Sequence, residues 1–180
     1  MSTSSTISIV NKDGTIDSIF CQKDGHIYNN GLSLYLEHND KEEVKKLISL
    51  GKMSTLNKYI DIPKGKVHNF DNKYPEICVY YSRDRGDLLE IDKYANKKEY
   101  LSDQDDDGYG YLYDKNKWYL CRSGKLVLLL NELLKSDKIS QEGKQSLLLD
   151  IKFAKVSKEV KRLDGLLDKK PAEVNKKKKI

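Results

Sequence analysis

Four aspartates in the sequence have the spacing of a calcium-binding loop: Asp103, Asp105, Asp107 and Asp114. A loop of this kind presents carboxylates at its first, third and fifth positions, turns at a glycine in the sixth, and closes with an acid in the twelfth. Gly108 stands at the sixth position, but Asp114 replaces the usual glutamate and Gly110 replaces the apolar anchor. An acidic surface loop that imitates the charge of nucleic acid is the alternative interpretation.

A second candidate is the charged segment Arg83-Asp84-Arg85-Gly86, which we predict to be a turn that follows a strand. Guanidinium groups bind phosphate and carboxylate through two parallel hydrogen bonds. Arg83, Asp84 and Arg85 are therefore candidate partner-binding residues. The alternative is an exposed turn in which the arginines pair with the neighbouring aspartate, and such surface pairs stabilise little.

Nucleophilic catalysis has weak support in the sequence. There is no Gly-x-Ser-x-Gly elbow and no glycine-rich phosphate loop, and the three histidines form no motif with a cysteine: His26, His38 and His68. A triad of Cys21, His26 and a carboxylate could be assembled in space, but nothing in the sequence requires it. We therefore expect a protein with no catalytic residue and no cofactor.

An aromatic cluster near residue 115 has two interpretations. Its members could stack nucleic-acid bases on the face of a sheet: Tyr109, Tyr111, Tyr113, Trp118 and Tyr119. Strand alternation, however, places the first three on one side, as expected for a core. The acidic loop before them counts against RNA binding.

The charge of the chain is divided unequally along its length. Residues 1–121 carry 17 Lys+Arg against 20 Asp+Glu, a net of −3, whereas residues 122–180 carry 16 against 8, a net of +8. This layout predicts a negatively charged partner at the C-terminal end, either nucleic acid or an acidic protein surface, with a solvated lysine-rich tail as the alternative. The basic candidates there are Lys155, Lys158, Lys161, Arg162, Lys176, Lys177, Lys178 and Lys179.

Cysteine usage and hydropathy predict the compartment. The three cysteines are far apart and odd in number, which argues against a disulfide framework or a zinc site: Cys21, Cys78 and Cys121. No run of residues approaches the ~20 apolar residues of a membrane span. We expect a cytoplasmic protein that does not contact membranes.

Periodicity predicts an α+β core over residues 1–121. Strands are predicted at 6–10 and 15–21, joined by an Asp-Gly turn, and later at 77–81, 109–113 and 118–121. Helices are predicted at 32–38 and after Asp40, the second one ending at Gly51. We therefore expect a small, mostly antiparallel sheet with helices packed on one face.

Residues 122–170 are predicted to form a C-terminal αα-hairpin. A leucine-rich helix is expected over 125–135, and a longer amphipathic helix over 144–168 has apolar residues at heptad spacing. The 125–135 helix is too short to cover the whole apolar stripe of the 144–168 helix. The uncovered part of the stripe could contact a second copy of the chain and form a homodimer. Residues 171–180 are predicted to be a basic tail that is disordered unless bound.

An ordered set of short segments adds a resemblance. The segments are Ser2-Thr3-Ser4-Ser5, Ile7, Asp13-Gly14-Thr15-Ile16, Ser18-Ile19, Cys21, Asp24-Gly25, Leu47-Ile48-Ser49-Leu50-Gly51, Ser54, Leu56, Arg83-Asp84-Arg85-Gly86, Tyr113 and Lys117-Trp118-Tyr119. This set, covering residues 1–121, resembles a family of small proteins common in tailed-phage and prophage genomes. That family has His and Trp after the cysteine and an aromatic residue after the glycine, where Gln22, Lys23 and His26 stand here. Because this chain lacks the histidine that the family has after the cysteine, a binding role is favoured over a catalytic one.

The resemblance implies an accessory phage protein, a class that often disarms host machinery, including CRISPR nucleases. Our first hypothesis is therefore a non-enzymatic inhibitor or modulator that binds a host protein or ribonucleoprotein complex, as an anti-CRISPR protein does. The second is a nucleic-acid-binding protein that uses the basic C-terminal region. The third is a calcium-dependent protein built on the 103–114 loop.

Overall fold

The computed structural model describes residues 3–104 and 108–149 and confirms the α+β class. The chain forms two compact units, residues 1–139 and residues 140–180. Within the second unit the structure describes residues 140–149, of which 141–149 are helical. The boundary between these two compact units lies after residue 139, and the predicted division into 1–121, 122–170 and 171–180 stays a prediction.

The first unit is organised around an eight-stranded mixed sheet. The strands are β1 (Ser5–Val10), β2 (Ile16–Cys21), β3 (Met53–Thr55), β4 (Val79–Tyr80), β5 (Asp92–Tyr94), β6 (Tyr109–Asp114), β7 (Lys117–Arg122) and β8 (Lys125–Leu128). Their spatial order is β4-β3-β2-β1-β6-β7-β8, and β5 also pairs with β2. The β1–β6 and β2–β3 pairs are parallel and the other five are antiparallel, so the sheet is larger and more mixed than predicted.

Five short α-helices connect or cover the strands. They are α1 (Leu32–Glu37), which follows a π-helical turn at Ile27–Gly31, α2 (Lys41–Ser49), α3 (Tyr81–Arg85), α4 (Lys97–Ser102) and α5 (Leu129–Lys135). In the described part of the chain, no helix combines the length and the apolar composition that a membrane span requires.

The helix α2 forms where the sequence predicted it. The Asp40 carboxylate accepts hydrogen bonds from the backbone N–H groups of Glu42 at 2.9 Å and Glu43 at 3.1 Å, which caps the first turn. At the other end Gly51 has φ +78°, a left-handed conformation that glycine adopts without strain. The N-terminal hairpin of β1 and β2 is likewise confirmed.

Helices cover both faces of the sheet, so the prediction of helices on one face is wrong. The Tyr111 and Trp118 side chains, on one face, donate hydrogen bonds to backbone carbonyls in the segment that contains α1. On the other face Tyr100 of α4 packs with Ile16 and Leu112 in a buried cluster. Successive residues of a strand point to opposite faces, so each central strand contributes to both layers.

The predicted helix over 125–135 is correct only in its second part. Ser123 and Gly124 have φ of +47° and +67°, which makes a tight hairpin turn, and β8 then pairs antiparallel with β7. The helix α5 begins at Leu129 and belongs to the first unit. The remainder of the predicted 144–168 helix, with its heptad stripe and homodimer contact, extends beyond residue 149 and lies outside the described residues.

Candidate functional site

The two residues Arg83 and Asp84 form an ion pair within α3, in which the aspartate is fully buried and the arginine is partly buried. The Nε of Arg83 donates to Oδ1 of Asp84 at 2.6 Å, and its Nη2 donates to Oδ2 at 2.8 Å. The guanidinium also donates to the backbone carbonyls of Ile60 and Cys78, each at 2.6 Å. Four of its five N–H donors are therefore engaged within the chain. The pair fastens the loop before β4 to α3, which is a structural role, and the predicted partner contact of Arg83 and Asp84 stays a prediction.

A buried histidine completes this cluster. The backbone N–H of Tyr74 donates to Nδ1 of His68 at 2.9 Å, so a neutral imidazole carries its hydrogen on Nε2, which lies 3.4 Å from Oδ2 of Asp84. The same carboxylate oxygen accepts the backbone N–H of Tyr80 at 2.7 Å. A histidine beside an aspartate is the pairing found in general bases, but both side chains here are 0% exposed. The contact therefore lies inside the fold, between the loop and α3, where no substrate reaches it.

In contrast, Arg85 lies on the surface, where two aromatic rings hold its guanidinium. Its Cζ lies 4.4 Å from the ring centroid of Tyr81 and 5.1 Å from that of Phe70, and the two rings stack at 5.4 Å. The Asp87 carboxylate accepts Nε of Arg85 at 2.9 and 3.0 Å and also accepts from Nη2. The arginine is thus fixed in one orientation while half of its side chain stays exposed.

Two leucines extend this surface. The exposed fraction is 86% for Leu88 and 59% for Leu89, high values for large apolar side chains. Backbone hydrogen bonds hold the segment on both sides, from the N–H of Asp87 to the carbonyl of Tyr81 and from the N–H of Lys52 to the carbonyl of Glu90. We call this surface the α3 patch and define it by Phe70, Tyr81, Arg85, Leu88 and Leu89.

Only Arg85 of the α3 patch was predicted from the sequence. The pair Leu88-Leu89 stands between acidic residues in a segment with no helical or strand periodicity, and this is a signal that sequence reasoning could have used. Phe70 lies in a loop distant in sequence from α3, and a backbone hydrogen bond of 3.2 Å from its N–H to the carbonyl of Asp84 places it there. Sequence carries no signal for that contact.

The buried thiols of Cys21 and Cys78 are poor nucleophiles. Burial raises the pKa of Cys21 to about 11 and that of Cys78 to about 12, so both stay protonated near neutral pH. The Sγ of Cys21 accepts a hydrogen bond from Asn30 at 3.4 Å, whereas His26 lies within 3.0 Å of the Thr3 hydroxyl. The structure does not bring Cys21 and His26 together as a catalytic pair.

The acidic 103–114 segment is described at both ends, and the aspartate at each end is bonded within the chain. Its second half is strand β6, in which Tyr109 and Asp114 are about 17 Å apart because an extended chain rises about 3.4 Å per residue. The Asp103 carboxylate accepts the hydroxyl of Tyr94 at 2.6 Å, while Asp114 accepts Nζ of Lys97 at 2.7 Å. Asp105 and Asp107 lie outside the described residues. Among the described residues no group of three histidine, cysteine or acidic side chains could hold a metal ion.

The other predicted binding residues divide into two sets. The aromatic residues Tyr111, Tyr113 and Trp118 are buried, as a core requires, and so present no stacking surface to nucleic acid. The basic residues of the C-terminal region all lie outside the described residues: Lys155, Lys158, Lys161, Arg162, Lys176, Lys177, Lys178 and Lys179.

Comparisons with known protein families, with curated proteins and with solved structures found no match for this chain.

Proposed function

We propose that this chain is a non-enzymatic accessory protein of the phage type. It binds a macromolecular machine of a bacterial host, for example a CRISPR nuclease, and inhibits or modulates it. The α3 patch is the binding surface, and the observation that carries the proposal is the fixed stack of Arg85 on Tyr81 and Phe70 beside two exposed leucines.

The composition of the α3 patch supports protein binding. Arginine and aromatic residues are enriched in protein interfaces, and tyrosine and arginine are among the residues that dominate their binding energy. Arg85 is held by a carboxylate and two rings, so binding immobilises few further rotamers and loses little conformational entropy. Covering Leu88 with a partner would remove most of its surface from water, which favours association.

The ion pairs beside the patch support an apolar and aromatic contact over a purely electrostatic one. Arg85 is neutralised by Asp87, and Lys52 forms an ion pair with Glu90 beside Leu89. Charges that are paired within the chain attract a partner only weakly. Protonated, buried thiols support the non-enzymatic part of the proposal.

Affinity purification tests this function. The tagged full-length chain is incubated with lysate of a bacterial host, with and without nuclease, beside the Leu88→Asp and Leu36→Asp variants. Leu36 is a matched control because it is 45% exposed but belongs to α1. We expect one stoichiometric host protein with the wild type and Leu36→Asp, resistant to nuclease and lost with Leu88→Asp. Recovery of no such protein, or equal recovery with Leu88→Asp, contradicts the proposal.

The charge of residues 122–180 favours a second candidate function, nucleic-acid binding by the C-terminal region. In that case retention on DNA or RNA falls steeply with salt, because each phosphate contact releases condensed counterions. Deletion of residues 170–180 should then weaken retention. Unchanged retention after the deletion would remove this candidate.

A further inference from the structure

A second surface lies between α2 and the loop that precedes β4. It is a cleft of about 830 Å³, which we call the loop cleft, and its lining includes four carboxylates and one ammonium group. The carboxylates belong to Glu42, Glu43, Asp61 and Glu76, and tyrosine and proline side chains form much of the remaining wall. The loop cleft is therefore negatively charged and partly aromatic.

Two of the four carboxylates are neutralised by lysines of the chain. Glu42 pairs with Lys45 at 2.6 Å and Asp61 pairs with Lys46 at 2.5 Å. Within the described part of the chain, no lysine or arginine nitrogen lies within 4 Å of the carboxylates of Glu43 or Glu76. These two carboxylates are therefore the ones in the cleft that are available to a cationic ligand.

The buried His38 lies behind Glu43, and one of its ring nitrogens has no hydrogen-bond partner among the described residues. The Nε2 of His38 lies 2.8 Å from the carbonyl oxygen of Asn57, and since a carbonyl only accepts, Nε2 carries a hydrogen. The Nδ1 of a neutral His38 is then an acceptor, and it faces Oε1 of Glu43 at 3.4 Å. The histidine side chain is 0% exposed, and its Nδ1 has no hydrogen-bond partner among the described residues. In the neutral form of His38, two acceptors thus oppose each other at the wall of the cleft.

A cation in the cleft relieves this arrangement. An N–H donor bound to the exposed side of Glu43 lowers the negative potential at the lone pair of His38, because the carboxylate then shares its charge with the ligand. The contact of His38 with Glu43 and the two available carboxylates, Glu43 and Glu76, therefore favour the same ligand. That ligand is a positively charged group with N–H donors.

The tyrosine rings that line the cleft favour a ligand whose cationic group is planar. The ring of Tyr59 is 47% exposed, and Lys58 Nζ lies 5.3 Å from its centroid. The ring of Tyr74 has Lys66 Nζ at 5.9 Å. Both rings therefore already attract cations, and a guanidinium stacks on an aromatic face while it also forms two hydrogen bonds to a carboxylate.

We propose that the loop cleft binds an arginine side chain of a partner protein, with Glu43 and Glu76 as the carboxylate ligands and Tyr59 as the stacking ring. The partner segment is rich in arginine, as protein surfaces that contact nucleic acid are. The loop cleft shares no residue with the α3 patch. Arginine binding in the cleft is therefore tested independently of the function proposed above.

Calorimetric titration of the full-length chain with a blocked hexa-arginine peptide tests the site. We expect saturable binding of one peptide per chain. The Glu43→Gln/Glu76→Gln variant should bind at least tenfold more weakly. The matched control Asp71→Asn/Asp92→Asn removes the same charge from two exposed positions that do not line the cleft and should bind within twofold of the wild type.

A second pair of variants tests the stacking ring without changing charge. Tyr59→Ala should weaken hexa-arginine binding severalfold, whereas Tyr59→Phe should restore it, and the histidine ring signals of His38 should shift in NMR spectra on titration of the wild type. Equal weakening by the two double variants would show attraction to net charge alone and would overturn the proposal. So would the absence of saturable binding, or hexa-lysine binding as tight as hexa-arginine and insensitive to Tyr59→Ala.

Discussion

Removal of the Arg83 guanidinium distinguishes the structural role of this residue from the surface role that the sequence suggested. In Arg83→Met the apolar stem is largely kept, while the hydrogen bonds to Asp84 and to the carbonyls of Ile60 and Cys78 are lost. The Asp84 carboxylate, which is 0% exposed, then loses its guanidinium partner.

The expected loss of stability follows from that burial. Removing one partner of a fully buried ion pair costs about 3–5 kcal/mol. Arg83 is 21% exposed and His68 Nε2 lies 3.4 Å from the Asp84 carboxylate, so we expect a loss of about 3–4 kcal/mol. A domain of this size is stable by about 5–15 kcal/mol, so the loss is a large fraction of the total. With a urea dependence of about 2 kcal/mol/M, the unfolding midpoint should fall by about 2 M.

Urea denaturation followed by circular dichroism measures this effect, with Arg85→Met as the control. Arg85 pairs with an exposed carboxylate, so its removal should leave the midpoint nearly unchanged. Adding Asp84→Asn to Arg83→Met should recover part of the loss, because the neutral amide still accepts the backbone N–H of Tyr80. Equal midpoints for Arg83→Met and Arg85→Met would refute the buried pair.

Three further predictions concern the core and the α3 patch. Gly51→Ala should destabilise the fold, because residue 51 has a φ of +78° and an added Cβ would lie 2.7 Å from Cδ1 of Leu89. The same contact should displace the α3 patch and shift the Leu89 methyl signals in NMR spectra. Unchanged signals and stability would contradict this. Trp118→Phe should lose at least about 1–3 kcal/mol in urea denaturation, since the indole N–H bonds a buried carbonyl at 2.7 Å; a smaller loss would contradict that role. The pKa of Cys21 is raised from 9.0 to about 11 and that of Cys78 to about 12, so above pH 9 the unfolded chain releases thiol protons that the folded chain retains. The free energy of unfolding should fall by about 1.4 kcal/mol per pH unit for each thiol between pH 9 and 11, and a urea midpoint independent of pH in this window would refute the burial.

Local sequence signals were sufficient for the elements that local chemistry defines. The Asp13-Gly14 turn fixes the first hairpin, and Asp40 and Gly51 mark the two ends of α2. In each case the residue type acts on its own backbone or on residues a few positions away. The predicted strands β1, β2, β6 and β7 are confirmed for the same reason.

Elements that depend on distant partners could not be predicted in this way. The strands β3 and β5 have three residues each and gain their hydrogen bonds from β2 and β4, far from them in sequence. Residues 125–128 have no preference strong enough to exclude a helix, and pairing with β7 makes them a strand. The side to which α4 packs is likewise decided by contact with Ile16 and Leu112.

The sequence alone determined the α+β class, the two ends of α2, the turn of the first hairpin, and the separation of an acidic N-terminal part from a basic C-terminal part. Residues 83–85 of the predicted turn at 83–86 instead belong to helix α3 (Tyr81–Arg85). The sequence could not determine which arginine is structural, because Arg83 and Arg85 are two positions apart in the same charged segment. That was decided by the loop that folds over α3, which presents two backbone carbonyls to one guanidinium and an aromatic ring to the other. Burial and partners arise only when distant segments meet, and they decide what each charge does.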